Sequence, residues 1–134
     1  MSPEVVSRKL ARMTQYVAEL EPYNACPYER FLVDHYKIER LIELLVMAVS
    51  DIVIHLLDSR GEPAPISYRT AFLRAGETGL LSPEFSQRLA LGAGLRNILV
   101  HDYEEIDYPL LHRSLAKIVG DLSRFIEECL PYGS

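Results

Sequence analysis

From Tyr28 to Arg60 the chain contains neither glycine nor proline, and no other feature limits its fold as much. Glycine relaxes φ at helix ends and proline removes a helix N–H, so a long apolar stretch lacking both runs as helix. The spacing predicts a helix that begins at Pro27, where a missing N–H costs nothing, continues to Asp58 and stops at Gly61. At about 1.5 Å per residue it would be ~45 Å long, more than a chain of this size spans. Its second half, Leu41 to Leu57, is apolar nearly all round, interrupted only by Glu43, Ser50, Asp51 and His55. A helix apolar on every face is covered on every face, so part of it is expected to face another subunit.

The flanking segments read as shorter amphipathic helices. Val6, Leu10, Met13, Val17 and Leu20 recur at spacings of three and four and place one apolar stripe on a first helix ending near Pro22-Tyr23-Asn24. Pro63 and Pro65 form a linker, Ser67 caps a third helix reaching about Ala75, and Gly79 ends it. Ser82-Pro83-Glu84 opens a fourth helix through Leu89, Gly92, Leu95 and Leu99. Asp107 or Tyr108 caps a last helix that begins at Pro109, carries Leu111, Leu115, Ile118, Leu122 and Phe125 on one face, and closes at Pro131. Five helices, no strands and no internal repeat predict an all-α, up-and-down bundle. At 134 residues, residues 1–134 are expected to form one domain around a single core.

Composition narrows the function classes. Hydrophobic residues at 49% and charged residues at 25% describe an ordinary globular chain. The N-terminal Met1-Ser2-Pro3-Glu4 lacks a basic region followed by an apolar one, and the longest apolar run, Leu44 to Val49, is far shorter than a membrane span. A cytoplasmic protein without membrane association is therefore expected. Cys26 and Cys129 show no zinc spacing and read as reduced thiols. The net charge of −5 excludes a generic nucleic-acid binder, yet 11 of the 14 basic residues are Arg, whose planar fork suits bidentate phosphate contacts in a confined cleft.

Polar chemistry concentrates in residues 96 to 103, Arg-Asn-Ile-Leu-Val-His-Asp-Tyr. The Arg96 guanidinium, the Asn97 amide, the His101 imidazole and the Tyr103 phenol in one short stretch form a set that can bind and protonate a phosphate ester, the cation offsetting charge and the imidazole giving or taking a proton. On an ideal helix at about 100° per residue, Arg96 and Tyr103 share a face whereas His101 lies about 140° from Arg96. Either the helix frays near Val100 or a second subunit completes the site. A plainer reading has Arg96, His101 and Asp102 offsetting exposed carbonyls at a helix end, worth about 0.3 to 1 kcal/mol. The glycines Gly92 and Gly94 do not make a phosphate loop, because no strand precedes them and Asn97 stands where a third glycine would.

Arg96, four intervening residues, His101, one residue and Tyr103 match the Arg-x4-His-x-Tyr signature of HEPN domains, and the chain resembles their HepT toxin branch. Ser67-Tyr68-Arg69-Thr70-Ala71-Phe72, Gly79-Leu80-Leu81, and Gly94-Leu95-Arg96-Asn97 through Asp107 occur in the same order as in that branch, as do Asp51 and His55 in the long helix. The resemblance implies a two-fold dimer with both motifs facing a shared cleft, Arg96 and His101 as catalytic residues, and cleavage of RNA, with tRNA foremost. It implies the toxin half of a type VII-like toxin–antitoxin pair, silenced when a minimal nucleotidyltransferase antitoxin transfers AMP to Tyr103. Added charge and bulk two residues from His101 would repel and block an incoming phosphate. Tyr108 lacks the motif spacing.

Three features remain open on the residues alone. Asp51 and His55, at i and i+4, suit either a shared metal or a carboxylate–imidazole pair beside Arg96; the second fits the resemblance, and neither metal nor cofactor is expected. Tyr68, Arg69 and Phe72 suit stacking on a base or on the antitoxin, and equally a core-facing stripe. His35 and His112 show no partner pattern. The alternative to a ribonuclease is a non-catalytic helical module that binds a nucleotide or a nucleotidyltransferase partner, which the acidic charge favours.

Overall fold

The computed structural model describes residues 2–91 and 106–133. Among them are six α-helices, two short 3-10 turns and no strand: α1 (Pro3–Leu20), α2 (Tyr28–Val33), α3 (His35–Ser59), α4 (Tyr68–Glu77), α5 (Pro83–Leu91) and α6 (Tyr108–Cys129). The all-α bundle expected from the sequence is the observed architecture.

The five apolar residues assigned to the first helix, Val6, Leu10, Met13, Val17 and Leu20, are the ones α1 buries. Ser2 caps it, its hydroxyl accepting the Val5 N–H at 3.3 Å. Their stripe packs on α3 and α6, and the C-terminal 3-10 turn folds back over α1, with Tyr132 donating its hydroxyl to the Leu80 carbonyl at 2.8 Å.

The long second helix is two helices, which corrects the uninterrupted Pro27–Asp58 span. Pro27 lies outside α2 as its cap, and Asp34, at φ −106° and ψ 17°, separates α2 from α3. No glycine or proline makes this break. The Tyr23 hydroxyl donates to Asp34 Oδ2 at 2.7 Å, engaging a carboxylate that makes no cap bond to α3, while the backbone takes the sparsely populated bridge conformation. Backbone bonds resume at once, Ile38 N–H reaching the Asp34 carbonyl at 3.1 Å.

Within α3 the chain's own core absorbs most of the apolar surface. Ile42, Leu45, Ile52 and Leu57 are fully buried, Val46, Ala48 and Ile54 are half-buried, and Met47 is 38% exposed. Gly61 and Gly79 take φ of 76° and 78°, the left-handed conformation that ends α3 and α4. Helix α4 runs two residues beyond the expected Ala75, to Glu77, capped by Ser67. It pairs with α5 as a tight hairpin, which Gly76 permits: a Cβ there would lie 2.8 Å from Ser86 Cβ. On α6, capped by Asp107, Val119 is buried and the expected Ile118 only half-buried.

Candidate functional site

The catalytic candidates Arg96 and His101, with Asn97 and Tyr103, lie outside the described residues, as do Gly92, Gly94, Leu95, Leu99 and Asp102. The structure does describe the two helices that flank residues 92–105 and the α3 residues assigned a supporting role.

On the N-terminal flank, α6 grips α5 through charge. Ser82, which precedes α5, donates its N–H to Glu128 Oε1 at 2.8 Å and its hydroxyl to Glu128 Oε2 at 2.9 Å. Arg124 Nε reaches the same Oε2 at 2.9 Å, its guanidinium also pairs with Glu84, and it lies 4.5 Å over the Phe85 ring. One turn further, Arg88 pairs with Asp121. Burial desolvates the Glu128 carboxylate and opposes its charge, but the two Ser82 donors and Arg124 prevail and hold its pKa below the ordinary value. A carboxylate beside the first turn of α5 also complements the positive end of that helix.

On the C-terminal flank, the Asp107 carboxylate accepts the Leu110 N–H at 3.0 Å and Tyr108 donates its hydroxyl to Glu39 Oε2 at 3.3 Å. His35 Nδ1 lies 2.6 Å from the same oxygen, and its ring meets Tyr108 edge-on at 4.9 Å. Burial, followed by the Glu39 charge and hydrogen bond, raises the Tyr108 phenol above its ordinary pKa, so this tyrosine is a protonated structural donor. His112 likewise has a partner, the Cys26 carbonyl 2.7 Å from its Nε2, and packs beside Tyr28 and Phe31. Both histidines without a recognisable pattern in sequence thus hold α6 against earlier elements.

Asp51 and His55 stand one turn apart on α3 and line the same groove of about 370 Å³, together with Asp58 of α3, Lys9 of α1, and Glu62 and Pro63–Pro65 of the linker. Among the described residues no group of three or more His, Cys, Asp or Glu is arranged to hold a metal ion, and no helix is long and apolar enough to cross a membrane. In α4, Phe72 is buried and Tyr68 packs partly into the core, the packing role for that pair, while Arg69 is exposed.

Sequence reading missed the α5–α6 network. Its signal was present: Glu84 and Arg88 are four apart and Asp121, Arg124 and Glu128 recur at three and four, matching charged rows on two helices. The groove wall from Lys9 carried no such signal.

The model of the HepT-like ribonuclease family matches residues 13–129. The chain belongs to that family. A tRNA nuclease HepT of Aphanizomenon flos-aquae is 28% identical over 110 residues, 80% of this chain and 75% of the relative. An mRNA nuclease HepT of Shewanella oneidensis is 30% identical over 80 residues, 60% of each chain. Among solved structures, a tri-AMPylated Shewanella oneidensis HEPN toxin in complex with MNT antitoxin superposes with a TM-score of 0.81 at 20% identity, covering 93% of this chain and 96% of that one. A toxin–antitoxin structure with AMP-PNP gives 0.80 at 20% identity, covering 93% and 97%. At that identity the superpositions establish the HEPN fold. Both flanking grips on α6 frame residues 92–105, the stretch that contains Arg96, His101 and Tyr103.

Proposed function

We propose that this HepT-like chain is the toxin of a toxin–antitoxin pair, a metal-independent ribonuclease of the cytoplasm that acts on tRNA from a two-fold dimer. The observation that carries this reading is the family match across residues 13–129, a span that contains Arg96, His101 and Tyr103 at the motif spacing. One relative is named a tRNA nuclease and the other an mRNA nuclease; the longer match is to the first.

In this reading Arg96 clamps the scissile phosphate and offsets the phosphorane charge. A neutral His101 removes the 2′-hydroxyl proton, O2′ bonds to phosphorus, the bond to the 5′ oxygen breaks, and a protonated His101 of the partner subunit donates to that leaving oxygen. Asn97 orients the substrate, and Asp51 and His55 support the cleft from α3. Silencing follows when the Tyr103 oxygen attacks the α-phosphate of ATP bound by a minimal nucleotidyltransferase, releasing pyrophosphate and the phenol proton. The MNT antitoxin bound to the AMPylated HEPN toxin supports that partner class.

The test is cleavage of total tRNA by purified protein in EDTA, beside His101→Ala and protein pre-treated with the antitoxin and ATP. Cutting by untreated wild type alone is expected, with Tyr103→Phe cutting even after pre-treatment. No cutting by an unmodified dimer, or full activity of His101→Ala, removes the proposed mechanism. Sedimentation at micromolar concentration tests the dimer.

A further inference from the structure

The groove beside Asp51 and His55 does not end at Lys9. A second depression of about 210 Å³ runs along the seam of α1 and α3, lined by Arg12, Met13, Tyr16, Leu44 and Met47, and Lys9 and Asp51 form part of both walls. The two make one trough, open to solvent, that leads from the candidate supporting residues along the outside of α1.

Charge divides this trough. In a chain of net charge −5, α1 gathers Arg8, Lys9 and Arg12 within two turns, with Arg8 and Arg12 exposed, and none of the three is in an ion pair among the described residues. Tyr16 lies one turn beyond Arg12 on the same wall. The opposite end, past His55, carries Asp58 and Glu62. The α1 half thus sets Lys9 and Arg12 against the one carboxylate of Asp51, whereas the other half sets Lys9 against Asp51, Asp58 and Glu62, so a flexible polyanion favours the first half over the second.

We infer that the α1 half of this trough binds the single-stranded flank of the RNA substrate, with Lys9 and Arg12 on consecutive phosphates and the Tyr16 ring as a stacking surface for a base. The inference rests on the ribonuclease reading and adds to it the path of the strand. Cations along a groove with an aromatic beside them form the usual combination for single strands, and Asp58 and Glu62 terminate the path just beyond His55. A second copy of this chain is a poor occupant, because a two-fold contact centred here would set Arg8, Lys9 and Arg12 against their own copies.

The probe is a fluorescein-labelled 2′-O-methyl oligonucleotide of about eight nucleotides, which lacks the nucleophilic hydroxyl and is not cut. Its affinity is measured between 50 and 200 mM salt for wild type, for Lys9→Ala/Arg12→Ala, and for Arg113→Ala/Lys117→Ala, which removes the same charge from the exposed face of α6. Each single strand phosphate neutralised contributes about 0.7 to the salt slope. The α1 variant is expected to lose about 1.4 of that slope and on the order of tenfold in affinity at low salt, while melting like wild type; the α6 variant binds as wild type does. A wild type that cleaves tRNA while the α1 variant keeps its affinity and slope overturns the trough and leaves the ribonuclease standing. A wild type that neither cleaves nor retains the probe overturns both. Loss of the dimer in the α1 variant, read by sedimentation, overturns the trough in favour of an interface between copies.

Discussion

The Glu128 carboxylate holds both the backbone N–H and the hydroxyl of Ser82, 46 positions earlier, at 2.8 and 2.9 Å. The first turn of α5 is thus secured by a side chain from the last helix, and with it the element that enters residues 92–105. Arg124 shares that carboxylate and Glu84, so one cation joins the two ends of the grip.

Replacing the charge tests this grip. Glu128→Gln is expected to destabilise the fold by about 1 to 3 kcal/mol at neutral pH. The Glu128 pKa is depressed in the folded chain from 4.5, so the unfolded chain binds the proton first. The stabilisation is present above the ordinary carboxylate range and is lost as pH falls through the folded value. Urea denaturation at a series of pH values should show the gap between wild type and variant at full size above about pH 5.5 and narrowing below 4.5. A gap that does not change with pH would mean the interaction does not depend on the carboxylate's charge.

The α4–α5 hairpin gives a second, steric test. A Cβ at Gly76 would sit 2.8 Å from Ser86 Cβ and 3.3 Å from Pro83 Cα. Because Pro83 contributes backbone, relief requires the two helices to part. Gly76→Ala is expected to cost about 1 to 3 kcal/mol despite alanine's better helix propensity, and a stabilised variant in thermal melts would contradict that packing.

Tyrosine ionisation provides a third. Tyr23 has its pKa raised, chiefly by donating to Asp34 and then by burial, and Tyr108 by burial and then Glu39. A raised phenol pKa leaves the stabilisation intact below the ordinary value of 10.0 and removes it as pH climbs through the folded value. In an absorbance titration of the eight tyrosines, Tyr23→Phe and Tyr108→Phe should each delete a component titrating above the ordinary range. Tyr23→Phe should also lower thermal stability by about 1 kcal/mol.

Local patterning was legible wherever one element's own periodicity decides burial. All five apolar residues assigned to α1 are buried, Ser67 and Asp107 are the caps, and Gly61 and Gly79 adopt the left-handed ends. The break at Asp34 was not legible, because the bond that accompanies it comes from Tyr23, eleven positions away, and the intervening sequence holds no helix breaker at that point. Ile118 and Val119 exchange burial for a related reason: a stripe read at fixed spacing does not say how a helix rotates between two neighbours.

The sequence by itself determined an all-helical chain, the approximate helix limits and the Arg-x4-His-x-Tyr motif that places it among HepT-like proteins, since those follow from spacing along one chain. Tertiary structure alone decided that Glu128 grips Ser82, that Glu39 receives both His35 and Tyr108, and that Lys9 of α1 stands in the wall that Asp51 and His55 line. Each is a meeting of groups far apart in the chain, and such meetings depend on how helices cross and rotate when they pack, which periodicity within one helix does not encode.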